Sequence, residues 1–538
     1  MSENGQKLSE LPQGWVQCSG DLIFNFVTSG SRGWAKYYAD SGAAFLRMGN
    51  LNHASITLDL QNLQRVQLPS SVEGTRSLVQ GRDLLISITA DVGMIALVPD
   101  NFEEAYINQH VALARPSTAI SSAYIAWFLA SQEGGQKQFK ELQRGATKTG
   151  LGLDDIRAVQ IPLPPLAEQH RIVNKIEELF TQLDAGVDLL KKLKLKLKRY
   201  RQAVLKVAVE GKLTQDWRAA HQDELEPASV LLDRILKERR EKWEADQLAK
   251  MEAKGKVPKN DKWKLKYKEP PAPDAKELPE LPEIWKWVSL GQLTWFVKDG
   301  PHYSPKYATD GIPFITGGNV KPSGVDFVNA KKITKELHKE LSQRCKPELG
   351  DILYTKGGTT GVARVNTYDF EFNVWVHVAV LKLAGPTAPF YVQHALNSPS
   401  CYAQSQRFTH GVGNQDLGLT RMVNIVLGLP PIDEQEIIIT EIDRKMSLLD
   451  ELDKAIKKNL NRAEKLRQSI LQKAFEGKLV SQEPNDEPAS LLLERIQTEK
   501  AQQEAKSKKR KTATKKSQKT NKPKRLKSTD GSNEEQVS

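Results

Sequence analysis

Two stretches of this chain carry a hydrophobic spacing found nowhere else in it. From Ile172, apolar residues recur at Ile176, Leu179, Leu183, Leu190, Leu193 and Leu197, then at Tyr200, Val204 and Val207. Only Gly186, beside Val187, breaks the spacing. Four–three spacing over so long a run predicts one helix of about 45 residues with a coiled-coil seam. A second stretch repeats it through Ile438, Ile442, Leu449, Leu452, Ile456, Ala463, Leu466 and Ile470, with Lys445, Asn459 and Lys473 as interruptions. A polar Asn459 inside such a seam would fix register. Pro165 and Pro431 suit a first helical turn, and Gly211 and Gly477 suit the stop. Residues 191–201 alternate Lys and Leu with period two, a strand signal, but the heptad through Leu193, Leu197 and Tyr200 outweighs it and predicts helix.

The regions ahead of the two stretches read differently. Short β-like runs (43–48, 83–88, 374–383) lie between Gly, Asn and Pro turns, and helical stretches follow at 121–133 and 391–404. Each region reads as an α+β globular domain of about 140–150 residues.

The two halves are copies of one unit. Residues 161–214 align without a gap on 427–480 at an offset of 266, with 19 of 54 positions identical. Shared residues include Pro164/Pro430, Pro165/Pro431, Glu168/Glu434, Gln169/Gln435 and the Glu-Gly-Lys-Leu starting at 210 and 476. A Glu-Pro-Ala-Ser recurs at 226–229 and 487–490. Upstream, Leu11-Pro12 with Trp15 matches Leu281-Pro282 with Trp285, and Asn50, Val111 and Leu151 match Asn319, Val378 and Leu417. The offset drifts from 270 to 266 through these matches, as small indels in a diverged duplication would leave it.

Charge adds less than its total suggests. The net +12 vanishes once residues 506–527 are removed, because that segment holds 12 Lys/Arg and no acid and leaves 66 basic against 66 acidic residues. It reads as a disordered basic tail able to attract phosphates without sequence preference. Residues 215–280, strongly charged with Leu231, Leu232, Ile235 and Trp243 on a helical segment and then a Pro-rich run, read as a semi-rigid linker. Cys18, Cys345 and Cys401 lie far apart with no zinc spacing, as expected of a reducing compartment. No signal peptide is visible and no apolar run approaches the ~20 residues that span a membrane. A cytoplasmic protein is expected.

Enzyme motifs are missing. The closest approach to a dinucleotide loop, residues 357–361, has the wrong spacing, no Walker A loop occurs, and no Asn/Asp-Pro-Pro-Tyr/Phe is present to hold an extruded base. His110 and His377 nearly align between the halves but lie in apolar strand-like runs, which favours structural histidines over a catalytic base. No bound cofactor or metal is expected, and a binding role is the default.

Residues 161–173 (Ile-Pro-Leu-Pro-Pro-Leu-Ala-Glu-Gln-His-Arg-Ile-Val) opening a long helix, their counterpart Leu429-Pro-Pro-Ile-Asp-Glu-Gln435, and the paired Glu-Gly-Lys-Leu ends resemble the specificity subunits of type I restriction–modification systems. The resemblance covers about residues 11–480 and leaves out the basic tail and the 215–280 connector. It implies a non-catalytic subunit with an N-terminal arm (1–10), a target-recognition domain (11–160), a spacer helix (161–214), the charged linker (215–280), a second target-recognition domain (281–426), a second spacer helix (427–480) and a C-terminal helix with the basic tail (481–538). The helices are expected to pair antiparallel with pseudo-twofold symmetry, which suits the dyad of duplex DNA. At ~1.5 Å per residue a 45-residue helix reaches ~68 Å, or ~20 base pairs, and would act as a ruler between two readers. The implied partners are double-stranded DNA, two methyltransferase subunits and two restriction/translocase subunits, which would use S-adenosylmethionine, ATP and Mg2+. Base-contact candidates in loops are Arg32, Lys36, Tyr37, Arg47, Asn50 and Lys148 in the first half. In the second they are Tyr303, Lys306, Asn319, Lys321, Lys356, Asn414 and Gln415. Arg suits guanine and Asn or Gln suits adenine by geometry.

Overall fold

In a computed structural model, residues 11–502 are described apart from 69–75, 144–149, 257, 275, 277 and 412–414. Lys148, Asn414, the N-terminal arm and the basic tail lie outside the described residues. The two seam stretches are single helices, Leu166–Val209 and Ile432–Phe475, of 44 residues each. The period-two Lys/Leu run is helical throughout. Both helices stop by the same device. Gly211 and Gly477 adopt φ of +69° and +68°, the left-handed conformation that costs a residue with a Cβ ~1–2 kcal/mol. Lys212 N–H then reaches back to Val207 O at 2.9 Å, and Lys478 N–H to Lys473 O at 2.8 Å, a Schellman closure.

The chain folds as two compact units, one made of residues up to Leu189 together with those from Asn459 onward, the other of Leu190–Lys458. Each unit therefore owns half of each long helix. In the first unit strands Phe24–Ser29, Val111–Pro116, Leu84–Ser87 and Ile95–Leu97 form an antiparallel sheet in that order. Leu84, Leu85 and Ile86 are fully buried, each contributing roughly 1.5–3 kcal/mol of apolar burial. A second sheet orders Tyr38–Ala39, Gln64–Val66, Ala43–Leu46 and Ala105–Ile107, the last pair parallel. Ile172, Ile176 and Phe180 from the first long helix and Ile470, Leu471 and Ala474 from the second share one core with the first sheet. Arg171 pairs with Asp486 and Arg467 with Asp184, so the two helix halves run antiparallel.

The second unit repeats the plan. Thr294–Asp299, Val378–Leu383, Ile352–Thr355 and Ala363–Val365 form its antiparallel sheet. Lys331–Ile333, Ile312–Ile315 and Asn373–Val374 form the smaller one, again ending in a parallel pair. Here Arg201 pairs with Asp450 and Arg218 with Glu434, antiparallel again. The expected strand over 374–383 is broken at residues 375–377, and the expected helix over 391–404 is two helices, Pro389–Leu396 and Pro399–Phe408, parted at Ser398 because proline resumes the chain there.

The duplicated residues are the joints of this plan. Gln169 Oε1 accepts from Ser121 N–H at 2.9 Å, satisfying the open end of helix Ser122–Ala130, while its amide donates to Pro164 O. Gln435 does the same with Ala388 N–H and Pro430 O. The Trp15 indole donates to Glu168 and the Trp285 indole to Glu434, so each long helix is hydrogen-bonded to the domain it follows.

Three expectations change. The 215–280 segment is not a spacer in the second unit: helix Ala228–Glu252 buries Leu231, Leu232 and Ile235 in the domain core, and Ala228 N–H bonds Ile284 O at 2.9 Å. Its counterpart, Ala489 N–H to Gly14 O at 2.9 Å, closes the first unit. The seam is uneven. Ile172, Ile176, Leu197, Ile438, Ile442, Leu449 and Ile456 are buried and Leu179, Leu183 and Leu190 half-buried, but Leu193 and Leu452 are 41% and 42% exposed. Domain cores cover the helix ends, whereas the middle has only a partner helix to cover it. Asn459 is exposed, so it does not set register from inside a seam. No helix among the described residues is long and apolar enough to cross a membrane.

Candidate DNA interface

Antiparallel order brings the end of Phe24–Ser29, the end of Leu84–Ser87 and the start of Val111–Pro116 to one edge of the first unit's sheet. Four loops meet there. Ile88 N–H donates to His110 O at 3.0 Å, Leu151 N–H donates to Ile88 O at 3.0 Å, and Thr89 bridges Gly150. Gly30 passes so close to the strand end that a Cβ would stand 2.0 Å from Ile107 O. The second unit has the same rim. Lys356 N–H donates to His377 O at 2.9 Å, Leu417 N–H donates to Lys356 O at 2.8 Å, Gly357 bridges Asp416, and a Cβ on Gly300 would meet Val374 O at 1.8 Å. Such rims of loops on a rigid sheet are where binding residues concentrate.

The backbone of the rims is common and the side chains are not. In the first unit His110 is exposed, with Nδ1 2.6 Å from Thr89 Oγ1 and Nε2 2.8 Å from Gln109 Nε2. In the second, His377 stacks on Trp375 at 4.7 Å, and the Trp375 indole donates to Tyr303 O at 3.1 Å. The apolar strand-like runs around these histidines gave no sign of a rim position. Only their shared offset did.

Several candidates stand at these rims. Arg32, Lys36 and the half-buried Tyr37 occupy the loop after Ser29, and Lys36 Nζ lies 4.7 Å from the centre of the Tyr37 ring. Arg47 follows Leu46, whose carbonyl accepts from Asn108 N–H at 3.2 Å beside the rim. Tyr303 is 52% exposed, and Lys306 and Gln415 are exposed. Lys321 sits on a two-strand hairpin with its ammonium 2.7 Å from Asp326. Arg76, which no motif singles out, donates through Nε to Thr28 Oγ1 at 3.0 Å at the strand end.

Three candidates are corrected. Asn50 is buried, its Oδ1 accepting Arg47 N–H at 2.9 Å and its amide donating to Asp59 O at 2.8 Å. Asn319 does the same with Thr316 N–H and Asp326 O. Both amides are buried and tie a turn, which turns them away from solvent and from a base. Lys356 is buried, with Nζ 3.0 Å from Asp416 and 3.3 Å from Asp299. Asp299 also accepts from Arg344 at 2.7 Å and lies 3.3 Å from His302. Burial pushes the Asp299 carboxyl up, but Arg344, Lys356 and His302 together outweigh it and hold it below its ordinary value. Lys356 therefore positions the rim rather than facing solvent. Among the described residues no group of three or more His, Cys, Asp or Glu side chains is placed to hold a metal.

A family model described as the type I restriction modification DNA specificity domain matches twice, over residues 48–199 and 282–462. The specificity subunit of the type I restriction enzyme EcoKI of Escherichia coli K12 is 24% identical over 91% of this chain and 97% of its own. That of StySPI from Salmonella potsdam is 23% identical over 94% and 99%. That of EcoBI from Escherichia coli is 28% identical, over 63% of this chain and 64% of its own length. A chain from a solved structure concerned with complex assembly and conformational transition of the type I R-M system superposes with a TM-score of 0.59 at 17% identity, covering 88% of this chain and 100% of that one. It shows the same fold.

Proposed function

The chain belongs to the type I restriction–modification DNA specificity family, and from that premise we propose that its two rims read the two halves of a bipartite, asymmetric duplex site. As a specificity subunit it is the non-catalytic, sequence-recognising member of its system. One observation carries the bipartite reading: two rims with one backbone scheme present unlike surfaces, Asn108-Gln109-His110 with Thr89 in the first unit and Trp375-Val376-His377 with Gly357 in the second. Identical frameworks with different side chains give two readers of unlike sequence, and an asymmetric site follows.

The chemistry then belongs to partners. Methyltransferase subunits using S-adenosylmethionine and restriction subunits using ATP and Mg2+ would be delivered to the site by this chain. Exposed leucines on the long helices, such as Leu195 at 63%, supply apolar surface for the methyltransferase subunits. Exchange of residues 11–160 for those of a relative, followed by methylation sequencing, tests the reading. One half of the methylated site should change and the other persist. A change in both halves, or in neither, would refute it.

A further inference from the structure

Helix Ala228–Glu252 does not end where the domain core ends. Leu231, Leu232 and Ile235 are buried in that core, and Arg239 fixes the next turn by donating to Gly291 O and Thr294 O at 3.1 and 2.9 Å. The helix then continues and stops at Gly255, φ +66°, with Lys256 N–H returning to Met251 O at 2.9 Å. The chain doubles back. Asn260 Oδ1 accepts from Lys262 N–H to cap a short 3-10 turn over Asp261–Lys266. The Trp263 ring stacks on Trp243 at 6.1 Å, Tyr267 meets Trp243 edge-on at 5.3 Å, and Arg239 donates to the Tyr267 hydroxyl at 2.6 Å.

This return segment concentrates positive charge. Residues 253–268 hold seven lysines and one acid, in a chain that is formally neutral outside its tail. The acids of the underlying helix offset them only in part, since Glu238, Glu244 and Asp246 pair with Lys242, Arg240 and Lys250 on the same helix, which leaves Asp233, Glu241 and Glu252 against seven lysines. Lys264 of the return is drawn in, to Glu244 and Asp261. Lys254, Lys256, Lys259, Lys262, Lys266 and Lys268 are exposed. The aromatic rings that would anchor a protein partner are packed against one another, so beside the exposed Leu265 the segment offers mainly ammonium groups. The segment also lies between the two stretches matched by the family model. A Lys-rich run follows the Glu-Pro-Ala-Ser helix in both copies of the sequence, at 254–268 and again from 506.

We propose that the 254–268 return is a sequence-independent clamp on the phosphate backbone of duplex DNA, adding affinity without adding base preference. The proposal rests on the chain being a DNA reader and adds a second, non-reading attachment. Lysines suit this work as strongly hydrated point charges that make no demand on base identity.

The test compares the full-length chain, assembled with its methyltransferase subunits, with a variant carrying K254Q, K256Q, K259Q and K262Q. Binding is measured by fluorescence anisotropy between 50 and 200 mM salt. One 40-base-pair duplex carries the site found by methylation sequencing and a second lacks it. Each lysine–phosphate pairing that the variant abolishes lowers the salt slope by about 0.9, so abolishing about three of them widens the wild-type advantage at low salt by about 40-fold over that range. Both duplexes should lose affinity equally, the methylated sequence should stay the same, and four Lys→Arg replacements should restore the slope. An unchanged slope would overturn the clamp. So would failure of the Gln variant to assemble with methyltransferase, which would make the segment a protein-docking surface. A wild-type complex that binds both duplexes equally would instead sink the sequence-reading function while leaving the slope comparison readable.

Discussion

The ammonium of Lys356 lies 3.0 Å from the Asp416 carboxylate, joining the end of strand Ile352–Thr355 to the loop that returns toward the second long helix. With Asp299 on its other side it is buried, and removing one partner of a buried pair costs about 3–5 kcal/mol. K356M should therefore lower the melting temperature of the second unit markedly and leave the salt slope of DNA binding unchanged. A slope reduced by about 0.9 would instead make Lys356 a phosphate ligand.

The same cluster sets an acid limit. Asp299 is held below its ordinary value in the fold, so it contributes stability that is present above the unfolded carboxyl pKa and is lost as pH falls through the lower folded value. Thermal scans from pH 6 downward should show a fall in stability that begins near pH 4. That loss should shrink in D299N, which has no carboxylate left to protonate. An identical acid profile in D299N would show that the cluster contributes nothing to it.

Gly211 and Gly477 stop the long helices against proline: a Cβ would stand 2.5 Å from Pro282 Cγ at the first and 2.4 Å from Pro12 Cγ at the second. G211A and G477A should each cost at least ~1–2 kcal/mol from the left-handed backbone alone, read as a shift in the denaturation midpoint. A neutral G211A would mean that the helix end is not seated on its domain as described.

How much of this was legible beforehand varies with the range of each interaction. Helix length and both glycine stops were readable because heptads and capping are local. The Glu-Gln pair was visible as a repeat but not as a joint, because the partner of Gln169, Ser121 N–H, is 48 residues away. Asn50 and Asn319 looked like base readers because loop asparagines often are. Only the fold reveals that both amides close a turn. The 215–280 segment read as a linker because its charge outweighs three buried apolar residues, and burial is a tertiary fact.

Asn50 and Asn319 separate stability from reading. N50A and N319A take the partners from part-buried backbone groups, at no more than about 1–3 kcal/mol each, yet should preserve the methylated sequence. R32A and Y303A should do the reverse, leaving stability nearly unchanged and weakening or relaxing one half-site each. Methylation maps and melting curves of the four variants check both halves of this statement.

The three thiols offer a simple control. Burial pushes Cys18, Cys345 and Cys401 up to about 12, so none is a thiolate at pH 8. Iodoacetamide should label none of them in the native chain and all three after unfolding, as counted by intact-mass spectrometry. Native labelling at any one would place it in an open environment.

The helix ending at Gly211 closes the domain that starts near Pro282, and the one ending at Gly477 closes the domain that starts near Pro12. The chain is thus copied in one frame and folded in another. A recombination event that replaced an entire repeat would bring in a foreign helix end against each resident domain. One that replaced only the sheet and its loops would leave both seats intact. New sequence preferences should therefore spread through a lineage as cassettes whose crossovers fall at the duplicated Pro-Pro-x-x-Glu-Gln, with the helices inherited as a single slowly changing block.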